Sequence, residues 1–215
     1  MIYDANITSD KKIKIRTLKD NILDTYDVSK ENTTVPLTRG SGQYLVQIYE
    51  NTVGNKYKLL SETKIDVPQE NSTDYTLMQN AHVMFTKAVS DLARQIYDST
   101  ENKTDKAIAT AAANWVKKNI AYDFVKSFTI KTEEIPNLDK VLETKLGICI
   151  DKACLYAAIC RMLGVKCKVC VGKVEDTNGT IYHAWNRVLI DGQWKRVDTT
   201  TSAYKTKKHI IERYY

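Results

Sequence analysis

Residues 149–163 form the segment that most restricts this chain. Ala153, Leu155, Tyr156, Ala157, Ile159, Met162 and Leu163 leave almost no polar face at the helical period, and Gly164 follows as a stop. A helix apolar nearly all round belongs in the middle of a core. The rest of the fold must therefore be built around it.

The flanking segments set the class. Residues 1–72 read as β. Ile13, Ile15 and Thr17 alternate with charged neighbours over 12–18, and Tyr44, Val46 and Ile48 alternate over 43–49. Gly54 marks a turn, and a further strand over 57–67 is closed by Pro68. Ser72-Thr73-Asp74 is a helix start signal, and Leu77, Ala81, Met84, Ala88 and Leu92 recur at helical spacing toward Ser99. A second helix is expected from Thr104 or Asp105, with Ile108, Ala112 and Trp115 on one stripe. A short turn through Leu138, Val141 and Leu142 stops at Gly147. After the central helix, strands are expected at 166–171, 181–190, 193–198 and 209–215. Strands first, helices next and an antiparallel meander last describe an α+β fold, with an N-terminal β extension (1–72) and a second domain (73–215).

Composition removes several classes of function. In this chain of 215 residues the charge-free apolar run 107–116 is far short of the ~20 residues that span a bilayer, and no signal peptide opens the chain. The balance of 32 basic and 26 acidic residues is a modest excess. The clusters Lys11, Lys12, Lys14 and Lys205, Lys207, Lys208 do not alternate with aromatics, so nucleic acid is not an expected partner.

All five cysteines lie between 149 and 170, too narrow and too odd a set for a disulfide framework. Cys167 and Cys170 form a C-x-x-C. The segment alternates like a strand, so the two side chains diverge, whereas a zinc pair needs them convergent. Cys154, Cys160, Cys167 and Cys170 are read as core residues, with no metal and no cofactor. Cys149 differs. It opens the central helix after Gly147, with Asp151 in the first turn, and a helix N-terminus is a setting in which a thiol works as a nucleophile.

Of three histidines, His82 falls among apolar neighbours in the first expected helix and His209 lies in the tail. His183 lies on a strand, followed by Ile190-Asp191-Gly192-Gln193, a strong two-residue hairpin signal. Pairing Ile190 with Gln193 sets Trp185 opposite Asp198, so His183, Trp185 and Asp198 share one face, with His183 diagonal to Asp198. The same register sets Arg187 opposite Arg196, which requires a wet end near the turn. If Cys149 meets this pair, the chain holds a nucleophile, a general base and an orienter.

These residues resemble a known family. Leu146-Gly-Ile-Cys149-Ile-Asp151-Lys-Ala153, Arg161-Met-Leu-Gly164-Val, His183-Ala-Trp185-Asn-Arg-Val and Gly192-Gln-Trp194-Lys-Arg-Val-Asp198-Thr-Thr resemble the bacterial transglutaminase-like domain, as does Trp115-Val-Lys-Lys-Asn-Ile-Ala-Tyr122-Asp123 before them. The resemblance covers roughly 100–215. Pro36-Leu-Thr-Arg-Gly-Ser-Gly-Gln-Tyr44 looks like the β extension that accompanies the domain in Gram-positive surface proteins. It implies a cysteine-proteinase-like fold with Cys149 as nucleophile, His183 as base, Asp198 as orienter, and Tyr122 and Trp185 as site walls. The implied chemistry is acyl transfer through a thioester: hydrolysis of peptide or amide bonds, or protein cross-linking. The implied partner is a protein or peptide substrate, and the implied location is extracytoplasmic or cell-surface, with a cytoplasmic home left open. The alternatives are a catalytically inactive envelope-binding module and a zinc module built on Cys167 and Cys170. Two positions depart from the family: Thr199 replaces the common proline after the triad Asp, and Lys152 replaces an aromatic after Asp151.

Overall fold

The structure, a computed structural model, describes all residues except 1, 6, 8, 29–32, 38, 69–74, 131–133 and 177–178. Contacts divide the chain into two units, residues 1–75 with 131–135, and 76–130 with 136–215. The expected boundary at 72 and the helix start signal at 72–74 lie outside the described residues.

The first unit carries six strands among its described residues. Its strands are β1 (Ile2–Ala5), β2 (Ile13–Lys19), β3 (Ile22–Val28), β4 (Thr33–Pro36), β5 (Gly42–Asn51) and β6 (Tyr57–Val67). β1 pairs with β4, and the others form an antiparallel sheet in the order β3-β2-β5-β6. In β2 the predicted alternation holds, with Ile13, Ile15 and Thr17 buried. β3 has no counterpart in the sequence reading, because its hairpin turns on Asp20 and Asn21, both with positive φ, and not on a glycine. The 36–44 motif is structural. Arg39 grips Asp24 through Nε and Nη2 at 2.7 and 2.8 Å, and Tyr44 OH accepts from Arg39 N at 2.7 Å and donates to Gly40 O at 3.0 Å.

The second unit carries α1 (Lys87–Ser99), α2 (Asp105–Asn119), β7 (Ala121–Tyr122), α3 (Phe124–Thr129), α4 (Leu138–Thr144), β8 (Leu146–Gly147), α5 (Cys149–Met162), β9 (Cys167–Asp176), β10 (Gly179–Ile190), β11 (Gln193–Val197) and β12 (His209–Tyr214). Strands β9 to β12 form an antiparallel sheet in the order β11-β10-β9-β12. The meander therefore covers β9, β10 and β11, and β12 returns to the far edge of β9.

Among the predicted helices, α2 and α5 stand at the expected places. The first is shorter than its spacing implies. Asn80 Oδ1 accepts from His82 N and Val83 N, holding a turn there, and Thr86 caps a helix that begins only at Lys87. Short polar side chains outcompete the periodic apolar pattern. His82 therefore sits in a bend and not in a helix. It is buried and stacked on Tyr215 at 3.7 Å, and burial pushes its pKa down to about 3.

α5 is buried from Asp151 to Arg161 and packs against α1, α2, α4, β9 and β10. The charged residues it carries into the core are all partnered, as buried ions must be. Arg161 donates to Cys167 O (2.9 Å), Met78 O (2.8 Å) and Tyr215 O (2.6 Å). Lys152 donates to Ile120 O (2.7 Å), and burial lowers its pKa. Asn186 Nδ2 ties β10 to the helix through Ala153 O (2.9 Å).

Candidate active site

Cys149 is the first residue of α5, and Ile148 is the extended residue before it. The Ile148 N–H donates to Asp151 Oδ2 at 3.0 Å, which satisfies one orphan donor of the first turn. Both Asp151 oxygens accept from Lys126 Nζ at 2.9 Å, so the carboxylate two residues from the thiol is neutralised by a cation from α3. Gly147 makes room for this turn. A Cβ there would lie 3.0 Å from Asp151 Cβ and 3.5 Å from Val141 Cγ1.

The hairpin supplies the other two groups. Asp191 and Gly192 both have positive φ, as a tight two-residue turn requires, and Ile190 pairs with Gln193 as the sequence register has it. Arg187 does face Arg196. Both are exposed, and Arg196 turns aside to donate to His209 Nδ1 at 2.6 Å. The β10–β11 ladder ends at Asn186 and Val197, yet His183 Nε2 reaches Asp198 Oδ2 at 2.8 Å. Asp198 Oδ1 accepts from Thr200 N (2.8 Å) and Thr201 N (3.1 Å), which fixes the carboxylate. Asp198 thus also caps the turn that follows β11.

Cys149 lies near enough to the His183 ring to favour its charged form. Since Asp198 occupies Nε2, Nδ1 is the nitrogen left to the thiol. Burial opposes a charge on His183, but the hydrogen bonds and charges of Asp198 and Cys149 overcome it and raise its pKa from 6.5 to about 9. The Asp198 carboxyl moves the other way. Burial raises its pKa, but His183 and the two backbone donors outweigh that and lower it. Near neutral pH the pair is imidazolium and carboxylate.

The remaining predicted site residues separate. Tyr122 is half-buried on β7, opposite Gly147. Its pKa is raised, first by burial and then by the charge of Cys149. Trp185 is only 1% exposed. It lies 6.3 Å from His183, nearly parallel to it, and packs with Cys170, Val174 and Tyr214. It is therefore a support behind the imidazole and not an open wall. That place beside the ring goes to Tyr204, whose half-buried ring meets His183 edge-on at 5.1 Å. Tyr204 lies in a Ser/Thr/Lys-rich turn with no periodic signal. Lys126 was likewise invisible in sequence, because its role depends on the distant Asp151.

Cys154, Cys160, Cys167 and Cys170 are all fully buried and free. Burial raises Cys154 and Cys167 well above the ordinary thiol range and pushes Cys170 up to about 12. Among the described residues, no three His, Cys, Asp or Glu are arranged to hold a metal ion. Lys152, the departure beside Asp151, is 4% exposed. Thr199, the other departure, is also buried.

Comparisons with known proteins bear on the family and the fold. The family model described as the transglutaminase-like superfamily matches residues 90–199, just over half of the chain. Human kyphoscoliosis peptidase is 27% identical over 150 residues, covering 66% of this chain but only 22% of the relative, so the chain spans about a fifth of that protein. A solved candidate cysteine protease from Cytophaga hutchinsonii superposes with a TM-score of 0.50 at 15% identity, over 98% of this chain and 83% of that one. A solved TGase matches with a TM-score of 0.45 at 23% identity, over 75% of this chain and 45% of that one.

Proposed function

Because the chain belongs to the transglutaminase-like superfamily, whose cysteine-protease-like α+β fold it has, we propose that it transfers acyl groups through a thioester on Cys149. The acceptor is water, and the donor is an amide of a protein or peptide. The observation that carries the reading is a His183 ring held by Asp198 at 2.8 Å, with Cys149 near enough to favour the charged form of that ring. The name of the human relative, a peptidase, supports hydrolysis over cross-linking. The cell-envelope setting implied by resemblance belongs to the same proposal, and fractionation of the source cells tests it.

In this mechanism the sulfur attacks the amide carbon, forming C–S and placing charge on the former carbonyl oxygen. The Cys149 backbone N–H, at the open end of α5, is one donor to that oxyanion. His183 gives its Nδ1 proton to the leaving nitrogen as C–N breaks. The free imidazole then takes a proton from water, which attacks the thioester carbon, and C–S breaks to restore the sulfur. Asp198 holds the ring orientation throughout and stabilises its positive charge.

Incubation with casein and a fluorescent primary amine, read by mass spectrometry, tests this. Hydrolysis shows as new termini or Gln-to-Glu conversion, and cross-linking shows as amine incorporation. Cys149→Ala should abolish either. No product, together with no selective reactivity of Cys149 toward alkylating agents, would leave the inactive binding module as the reading to keep.

A further inference from the structure

α3 is inside out. In an ordinary surface helix Phe124, Val125 and Phe128 would turn inward and Lys126 outward. Here Phe124, Val125 and Phe128 are 69, 77 and 88% exposed, while the Lys126 ammonium is drawn in to Asp151. The arrangement is held firmly. Asp123 Oδ1 caps Lys126 N at 2.8 Å, Asp123 N donates to Gly147 O at 3.3 Å, and Ser127 N donates to Asp123 O at 3.0 Å. The apolar face therefore presents itself from a helix anchored to both sides of the nucleophile turn.

That face is continuous with the candidate site. The Phe124 ring meets Tyr122 edge-on at 5.0 Å, Tyr122 pairs with Gly147 two residues before Cys149, and it lies within range of the Cys149 charge. Resting on the acyl-transfer reading, we propose that Phe124, Val125 and Phe128 form a specificity subsite. It takes an aromatic or large aliphatic side chain of an extended protein substrate, next to the amide presented to Cys149. The occupant is a peptide segment because the acyl donor must reach Cys149, and this apolar surface leads there.

The test uses the full chain carrying Cys149→Ala and fluorescein-labelled decapeptides. Each has one Gln in an Ala/Ser background and Phe, Leu, Ser or Asp at successive flanking positions. At one or two positions, Phe and Leu peptides should bind at least tenfold more tightly than Ser or Asp peptides. Adding Phe124→Ser and Phe128→Ser should erase that difference while leaving the thermal midpoint in place, since both side chains are already exposed. Equal affinity across the series, no binding at all, or selectivity that survives the double substitution would overturn the subsite. So would a dimer that the double substitution dissolves, since the surface would then be a self-interface. Failure of the catalytic reading shows separately, as loss of selective Cys149 alkylation in the unsubstituted chain.

Discussion

His183 Nε2 stands 2.8 Å from Asp198 Oδ2 across a hairpin whose ladder has already ended at Asn186 and Val197. The pair is thus fixed by the turn at one end of the hairpin and by the backbone donors of Thr200 and Thr201 at the other. Its charge state links folding to pH. The folded pKa of His183 is raised from 6.5 to about 9, so its contribution to stability is complete below about pH 6.5 and is lost as pH rises through about 9. The size expected is about 3 kcal/mol. Urea denaturation at pH 6 and pH 10 should show this fall in the native chain and not in His183→Gln. Equal pH dependence in both would refute the ion pair.

Reactivity should follow the same geometry. Near pH 6, limiting iodoacetamide should modify Cys149 before the other four thiols, which are fully buried. His183→Ala should slow the modification about tenfold or more, because it removes the cation at the sulfur. Asp198→Asn should slow it less, since its effect passes through the ring. Peptide mass mapping reads the outcome, and uniform labelling would contradict it.

The Lys126–Asp151 pair makes a different prediction. Asp151 is 1% exposed, and Lys126 brings a cation to it at 2.9 Å. Lys126→Met should leave a buried carboxylate short of a partner and cost about 2 kcal/mol, less than a fully buried pair because Lys126 is partly exposed. Lys126→Arg should recover most of that loss. Urea midpoints of the two variants decide it, and an unchanged midpoint in Lys126→Met would show the pair to be idle.

Gly172 pairs with His183 on one side and with Ile211 on the other. An added Cβ would sit 2.0 Å from Ile210 O, a backbone atom that cannot rotate away. Gly172→Ala should cost about 2 to 3 kcal/mol and loosen β12. Hydrogen exchange should show reduced protection in residues 209–214, and protection equal to the parent would count against this.

How much of the fold is legible in the sequence depends on the range of the forces involved. The positions of α2, α5 and the β10–β11 hairpin follow from local signals: Thr104 as a cap, an apolar run from Ala153, and Asp191-Gly192 as a turn. A period-2 register then placed His183 within reach of Asp198. Local patterning failed where short side chains override it, as Asn80 and Thr86 do before α1, and where a turn lacks glycine, as at Asp20-Asn21. A glycine also misled. The expected strand stopped at 171, but β9 runs on through Gly172, because β12 comes too close for any side chain there.

By itself the sequence picked out the candidate residues: one thiol at a helix start, one imidazole on a strand and one carboxylate a hairpin away. Tertiary structure decided what surrounds them. It buried Trp185 behind the imidazole and set Tyr204 against the ring edge. It also turned Lys126 inward to Asp151, leaving Phe124 and Phe128 in solvent. Those outcomes rest on contacts between residues far apart in the chain, whose energies depend on burial and approach, and no local period or spacing encodes either.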